Sequence, residues 1–245
     1  MKKLMVTWLL MVSVVTAYSQ ISIDLEGNYA FSIPYNVVRI PASGGTEIDL
    51  AKDLNATNPL TFRARINYTL NERHVISALV APLRVKSQGT LSQDVVYSDN
   101  TFQAGRKINA TYTFNSYRLT YRYLFIANDK IKFGAGLTAK LRQANIELTN
   151  GERSADYPDL GVVPLVNVYF SWTPVQRWTM LIEGDALGTN QGRAEDVFGG
   201  ILYNASETTS IKIGYRVLEG GADVEDNYNF SFFNYAAIGV VLNFK

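Results

Sequence analysis

Charged side chains alternate with apolar ones along several segments of this chain. In residues 113–125, TFNSYRLTYRYLF, Arg118 and Arg122 occupy even positions, whereas from Tyr117 onward every odd position is apolar or aromatic. A period of two places successive side chains on opposite faces of a β-strand, so the charges of each segment share one face. Charges of both signs on one face can form ion pairs, and an excess of bases can attract anions. The basic candidates are Arg63, Arg65, Arg118, Arg122, Lys132, Lys140, Arg142, Lys212 and Arg216, and the acidic candidates are Asp24, Glu26, Glu183 and Asp185.

Ten segments with this alternation supply the elements that position the charges. They lie near residues 21–33, 62–68, 74–85, 117–125, 131–141, 162–172, 178–184, 197–203, 211–217 and 238–244. The third, sixth and eighth of these segments are less regular, so eight or twelve strands are alternatives to ten. A short helix fits only the stretch 45–54, which lies inside a connection.

The connections between these segments alternate in length. Tight turns are predicted at 71–74, 127–130, 173–177 and 204–207, and longer polar connections at 34–58, 86–106, 147–160, 188–196 and 218–229. Short turns at one edge of a sheet and long loops at the other are typical of a transmembrane antiparallel up-and-down β-barrel with periplasmic turns and extracellular loops. A secreted β-sandwich, the alternative all-β fold, rarely sorts its connections in this way.

Both ends of the chain indicate export to a bacterial outer membrane. Residues 1–19 read as a secretory signal peptide, because two lysines precede an apolar stretch and small residues follow it. Residues 20–245 are then one barrel domain. Its last strand ends at Phe244, as in the assembly signal of outer-membrane barrels, although Lys245 follows. We therefore expect contacts with outer-membrane lipid, lipopolysaccharide and, during biogenesis, the barrel-assembly machinery.

Composition argues against several other classes of protein. The chain has no cysteine, which excludes a disulfide framework and a thiolate metal site. Lys and Arg total 23 against 22 for Asp and Glu, so the basic excess expected of a nucleic-acid-binding protein is missing. We expect no cofactor and no metal.

A barrel would enclose the charged face, and two hypotheses follow for its lumen. Charges in a narrow, low-dielectric lumen must be paired or hydrated, which predicts an ion-pair network that holds the barrel shut. The imbalance of nine bases to four acids instead predicts an electropositive lumen that binds or passes small anions. Acids from the loops could fold inward and cancel this excess.

An enzyme is the alternative function, and acidic residues in the predicted loops are its candidates. These are Glu195 and Asp196 in GRAEDV, and Glu219 and Asp223 in LEGGADVEDNYNF. Paired carboxylates can carry out acid-base catalysis on lipid or peptide, or bind a divalent cation. The one histidine, His74, falls at a short turn on the periplasmic side, so a Ser-His or Asp-His catalytic pair is not available at the extracellular end.

Four segments of the chain are distinctive: RIPASGGTEIDLAKDL at 39–54, RHVISALVAPLRV at 73–85, GDALGTNQGRAEDV at 184–197 and GYRVLEGGADVEDNYNFSFFNYAAIGVVLNF at 214–244. They resemble a family of small bacterial outer-membrane β-barrel proteins that lack an assigned activity. The resemblance implies a barrel fold and an outer-membrane location. It implies no catalytic residue.

One irregularity remains in the stretch 113–125. Tyr112 and Phe114 lie on even positions, out of phase with the apolar residues from Tyr117 onward. This slip predicts a bulge near Asn115, or a strand that rises above the membrane there. The lipid-facing part of the strand is then expected to begin close to Ser116.

Overall fold

The computed structural model describes residues 19–244, which form β-strands joined by turns and loops. Residues 1–18 of the predicted signal peptide and Lys245 lie outside the described residues. The strands are β1 (Ser19–Arg39), β2 (Ile48–Asp49), β3 (Leu60–Leu70), β4 (His74–Ala81), β5 (Arg84–Thr90), β6 (Val95–Tyr97), β7 (Asn100–Phe102), β8 (Lys107–Ala127), β9 (Ile131–Thr149), β10 (Ser154–Val175), β11 (Trp178–Thr189), β12 (Gly192–Asn204), β13 (Thr209–Val224) and β14 (Asn227–Phe244).

Ten positions around the wall close into an antiparallel barrel. The strand order is β14-β13-β12-β11-β10-β9-β8-β4-β3-β1, and β14 pairs with β1 to complete the circle. Strands β4 and β5 occupy one position, because both pair with β8 in the same register on either side of Pro82. Proline lacks the amide hydrogen that a ladder needs, which explains the interruption. The prediction of a ten-stranded barrel is confirmed.

The apolar column of each strand points outward. Exposed fractions reach 60 % for Leu119, 69 % for Leu137 and 61 % for Ile238, while the alternating polar residues are buried. Contiguous apolar area on this scale is not exposed to water by soluble proteins, and it is the surface that a spanning barrel presents to lipid. Within residues 19–244, no helix is long and apolar enough to cross a membrane.

The tight connections at one end of the barrel are confirmed. Neighbouring strands are joined there by the turns at 71–73, 128–130, 176–177 and 205–208. The start of β1 and the end of β14 lie side by side at the same end, where Ile21 pairs with Phe244. We call this the periplasmic end, and the opposite end the extracellular end.

The connections at the extracellular end differ from the expectation. Only 40–59 and 91–106 are long, whereas β9–β10, β11–β12 and β13–β14 are joined by short turns at 150–153, 190–191 and 225–226. The prediction of long loops at 147–160, 188–196 and 218–229 was therefore wrong. These glycine-rich and polar segments have low strand propensity, but cross-strand pairing overrides it and extends the barrel wall.

The two long connections, residues 40–59 and 91–106, form a cap at the extracellular end of the barrel, where residues 48–57 hydrogen-bond to β1 and to β5. The short helix considered at 45–54 is absent, since this stretch forms β2, paired with β1, and then turns. The buried apolar side chains of the cap and of the wall around it include Ile48, Leu50, Leu54, Leu91, Val95, Tyr97, Phe102, Ile108, Tyr112, Ile146, Leu148, Phe233 and Tyr235.

This cap explains the phase of the aromatic residues in β8. Tyr112 and Phe114 face inward like Arg118, and the register between β8 and β9 is unbroken past Asn115, with its shift at Leu124/Ile126 instead. Of the two alternatives given for this slip, the bulge near Asn115 was wrong, and β8 continues as a strand from Lys107 to Ala127. The two rings face inward because the upper lumen is apolar where the cap fills it.

Candidate functional site

The alternation of the strands places the predicted lumen charges on the inner face of the barrel wall. Adjacent strands bring them side by side, since Asp24 pairs with Arg65 and Arg118 pairs with Lys140 in the ladder. Lys132 is the exception, because it is exposed at the periplasmic end. The predicted residues that lie within the lumen are Asp24, Glu26, Arg63, Arg65, Arg118, Arg122, Lys140, Arg142, Glu183, Asp185, Lys212 and Arg216.

Asp196 is the carboxylate on which three arginines converge. Its oxygens lie 2.9 Å from Arg63, 2.6 Å from Arg118 and 2.6 Å from Arg216, and its side chain is 3 % exposed. The assignment of Asp196 to an extracellular loop was wrong, because β12 begins at Gly192 and carries it into the lumen. The signal was present in the sequence, since Asp196 lies one residue before the predicted strand 197–203 and the period of two places it on the same face as Phe198.

Glu26 forms the second centre of the network. Arg216 donates two hydrogen bonds to its carboxylate, at 2.7 and 3.0 Å, in the bidentate geometry that makes such pairs strong. Lys212 lies 2.7 Å from Glu26 and 2.5 Å from Asp24. Strands β1 and β13, which have β14 between them, are therefore linked through the lumen.

Glu183 and Asp185 extend the network to β11. Glu183 accepts a hydrogen bond from Arg65 at 2.5 Å, and Asp185 accepts one from Arg118 at 2.7 Å. The side chain of Asn167 donates to Asp185 and accepts from Arg122, at 2.7 Å each. Side chains from β3 and β8 thus reach carboxylates on β11 and β12 across the lumen.

The charge balance of this network differs from the expectation of nine bases to four acids. Each of the six bases Arg63, Arg65, Arg118, Arg122, Lys212 and Arg216 has a carboxylate within 4.0 Å, among the five acids Asp24, Glu26, Glu183, Asp185 and Asp196. Arg142 lies higher and pairs with Asp159 instead. The excess of bases over acids is smaller than expected because Asp196 joins the network and Lys132 lies outside it.

The other acidic candidates lie on β12 and β13, where Glu195 and Glu219 are cross-strand partners. Glu195 and Asp223 are exposed on β12 and β13. Glu219 accepts hydrogen bonds from Arg193, at 2.9 and 3.0 Å, and from the hydroxyl of Tyr35 at 2.6 Å. Within residues 19–244, no group of three or more His, Cys, Asp or Glu residues is arranged to hold a metal ion.

The single histidine lies at the periplasmic end, as predicted. Nδ1 of His74 is 2.9 Å from the hydroxyl oxygen of Tyr121, and its ring packs edge-on against Tyr123. These contacts are those of a side chain at the membrane interface, where amphipathic rings are favoured.

A cavity of about 560 Å³ lies above the network. Sequence reasoning missed it, because it is formed by the upper parts of β8 to β14, which were partly assigned to loops. Its wall contains apolar side chains such as Phe114 and Val163, and Lys140 and Arg142 line it as well. Lys140 is 3 % exposed, and its Nζ lies 4.5 Å from the centre of the Phe114 ring.

Tyr97 anchors the cap to the barrel wall. Its hydroxyl donates a 2.7 Å hydrogen bond to the carbonyl oxygen of Ile146 on β9, and its ring is fully buried. Burial is the main cause that raises the pKa of Tyr97 above its ordinary value, and the nearby Asp156 carboxylate adds to it. The cap is therefore fixed to β9 by a neutral phenol.

Comparison with known proteins identifies the fold. No family model and no curated protein matches the sequence. Among solved structures, the chain is similar to the outer membrane protease OmpT from Escherichia coli, with a TM-score of 0.56 and 11 % identity over 93 % of this chain and 97 % of that chain. It is also similar to Ail, the attachment invasion locus protein of Yersinia pestis, with a TM-score of 0.42 and 10 % identity over 91 % of this chain and 99 % of that chain. Neisserial surface protein A gives a TM-score of 0.40 and 13 % identity over 91 % and 97 %. The likeness to OmpT shows that the chain has the fold of an outer-membrane β-barrel.

Proposed function

We propose that this protein is a non-enzymatic integral outer-membrane barrel whose lumen is closed to ion flow. The observation that carries the proposal is the ion-pair network that joins opposite walls, with Asp196 bound by three arginines at its centre. The outward-facing apolar side chains of the strands, such as Leu119 and Leu137, form an apolar belt that fits insertion in a bilayer. The predicted signal peptide fits export. The protein then presents its cap and extracellular turns at the cell surface.

The network makes an open pore costly. A passing ion would have to separate buried pairs that also bridge strands, and breaking one such pair by removing a partner costs about 3–5 kcal/mol. Above the network, the cap buries fully enclosed side chains such as Leu50 and Phe102 against the wall. These two layers favour a closed barrel over the narrow anion-preferring channel.

An enzyme with acidic residues at its extracellular end is the second hypothesis, and OmpT is a protease. General-base catalysis needs a carboxylate that is free to accept a proton from the substrate or from water. Asp196 is enclosed by arginines, and Glu219 is held by Arg193 and Tyr35. This engagement favours the non-enzymatic function.

A hydrolysis screen tests that choice. We expect the folded protein to turn over neither lipid nor peptide substrates. Turnover that is lost when Glu219 and Asp223 are both replaced by the corresponding amides would support the enzyme and overturn the non-enzymatic proposal.

Single-channel recording tests the closed lumen directly. Purified protein that shows the heat-modifiable gel migration of a folded barrel is inserted into planar lipid bilayers at about 1 M salt, which screens surface charge. We expect no discrete conductance steps from the native protein. The double variant Arg118→Ala, Arg122→Ala removes side chains that bridge β8 to β10, β11 and β12, and is expected to conduct.

The matched control replaces Lys130 and Lys132, two exposed lysines at the periplasmic end, by alanine. It removes the same charge but no bridge, so it is expected to stay closed. Steady anion-selective steps from the native protein would refute the closed barrel.

The proposed partners follow from location. The apolar belt contacts outer-membrane lipid, and the rim contacts lipopolysaccharide. The last strand, which ends at Phe244, is the segment for recognition by the barrel-assembly machinery.

A further inference from the structure

Lys140 differs from the other cations buried in the lumen. The six bases of the network each have a carboxylate within 4.0 Å, whereas Lys140 has none among residues 19–244. Its strand neighbours are Arg118 on β8 and Val163 on β10, neither of which is an acid. The ring of Phe114 faces its ammonium group, at 4.5 Å.

This environment leaves the buried amine of Lys140 without a carboxylate in contact among residues 19–244. The residue is 3 % exposed, so solvation by bulk water is largely lost. A cation–π contact returns only part of the solvation that a buried ammonium gives up. An anion placed next to Nζ would therefore be strongly favoured.

The cavity of about 560 Å³ gives such an anion room and a route. Its volume lies in the range of small-molecule sites. Its lining runs from Lys140 to Gln191 and Asn227, which lie beside the β11–β12 and β13–β14 turns, so it extends to the extracellular end. Between these points the wall contains the apolar side chains of Val163 and Leu218.

We propose that this cavity binds an organic monocarboxylate with an apolar body, and that Lys140 is its counter-ion. A single charge is expected, because Arg142, the other cation near the base of the cavity, is already paired with Asp159. The apolar walls favour a hydrophobic ligand over a strongly hydrated ion such as phosphate. This inference goes beyond the closed barrel, which requires no ligand.

Equilibrium dialysis of the folded protein in lipid nanodiscs tests the site, with empty nanodiscs as the blank. The probe is 1-naphthoate, and its neutral counterpart is 1-naphthalenemethanol, which has a similar shape. We expect saturable binding of the naphthoate, with at least about 10-fold preference over the alcohol, since hydrogen bonds to charged groups are the stronger class.

The variant Lys140→Met keeps the length of the side chain and removes its charge. We expect it to bind 1-naphthoate at least about 10-fold more weakly. Lys132→Met, on the same strand but exposed at the periplasmic end, is the matched control and should bind like the native protein.

Three results would overturn the proposal: no saturable binding of naphthoate, equal affinity for the neutral alcohol, or undiminished binding by Lys140→Met. If that variant fails to show the gel shift of a folded barrel, the comparison of the two probes on the native protein decides. The outcome is independent of the conductance measurement, so the site and the closed lumen can fail separately.

Discussion

Asp196 is the carboxylate whose loss should destabilise the barrel most, and Asp196→Asn isolates its charge. The substitution keeps the shape of the side chain but leaves Arg63, Arg118 and Arg216 with one acceptor fewer and no central anion. Removing one partner of a buried ion pair costs about 3–5 kcal/mol. Because three arginines share this partner and its side chain is 3 % exposed, we expect a loss of about 4 kcal/mol in the free energy of unfolding.

Urea unfolding in lipid vesicles measures this loss, followed by tryptophan fluorescence and gel mobility. With a denaturant slope of about 2 kcal/mol/M, a loss of about 4 kcal/mol lowers the midpoint by about 2 M. Glu195→Gln is the matched control, because Glu195 directly precedes Asp196 in the chain but is exposed on the outer face. It should shift the free energy by no more than about 0.5 kcal/mol. A midpoint for Asp196→Asn that equals that of the control would refute the structural role of the network.

Two further substitutions test the wall and the cap. A Cβ at Gly136 would lie 1.9 Å from the carbonyl oxygen of Tyr121, so Gly136→Ala should cost about 1–3 kcal/mol in urea unfolding, whereas Gly199→Ala, with no atom within 4 Å, should be nearly neutral. Tyr97→Phe removes the hydrogen bond to Ile146 and should speed trypsin cleavage in the cap at neutral pH. Because the pKa of Tyr97 is raised in the folded state, cap stability should fall as pH rises above about 10, and this dependence should vanish in Tyr97→Phe. Equal cleavage of the native protein at pH 8 and pH 10.5 would contradict this.

The barrel was predictable because its two signals are local. Alternation in segments such as 117–125 reports which side chains share a face, and short turns such as 128–130 report which strands are neighbours. Neither the alternation nor the short turns depends on residues that are distant in sequence, so both are found unchanged in the folded protein. The lumen charges followed from the same period, which is why Arg118 and Glu26 were found without knowledge of their partners.

The extracellular half was not predictable in the same way. Glycine-rich segments such as 218–224 have weak strand propensity, and they become strands because β12 and β14 supply hydrogen bonds on either side of them. Tyr112 and Phe114 suggested a bulge because the apolar surroundings that turn them inward include residues far away in sequence, such as Phe233, whose ring centroid lies 6.0 Å from that of Tyr112. Local patterns cannot report such contacts.

By itself, the sequence determined which residues face inward, since a strand has a period of two whatever surrounds it. Only the tertiary structure decided what those residues do there. Asp196 is central because closure of the sheet brings β3, β8 and β13 within reach of β12. The same closure leaves Lys140 without a carboxylate within 4.0 Å among residues 19–244, because the distance between charges across a lumen depends on how the wall curves and on what fills the space between.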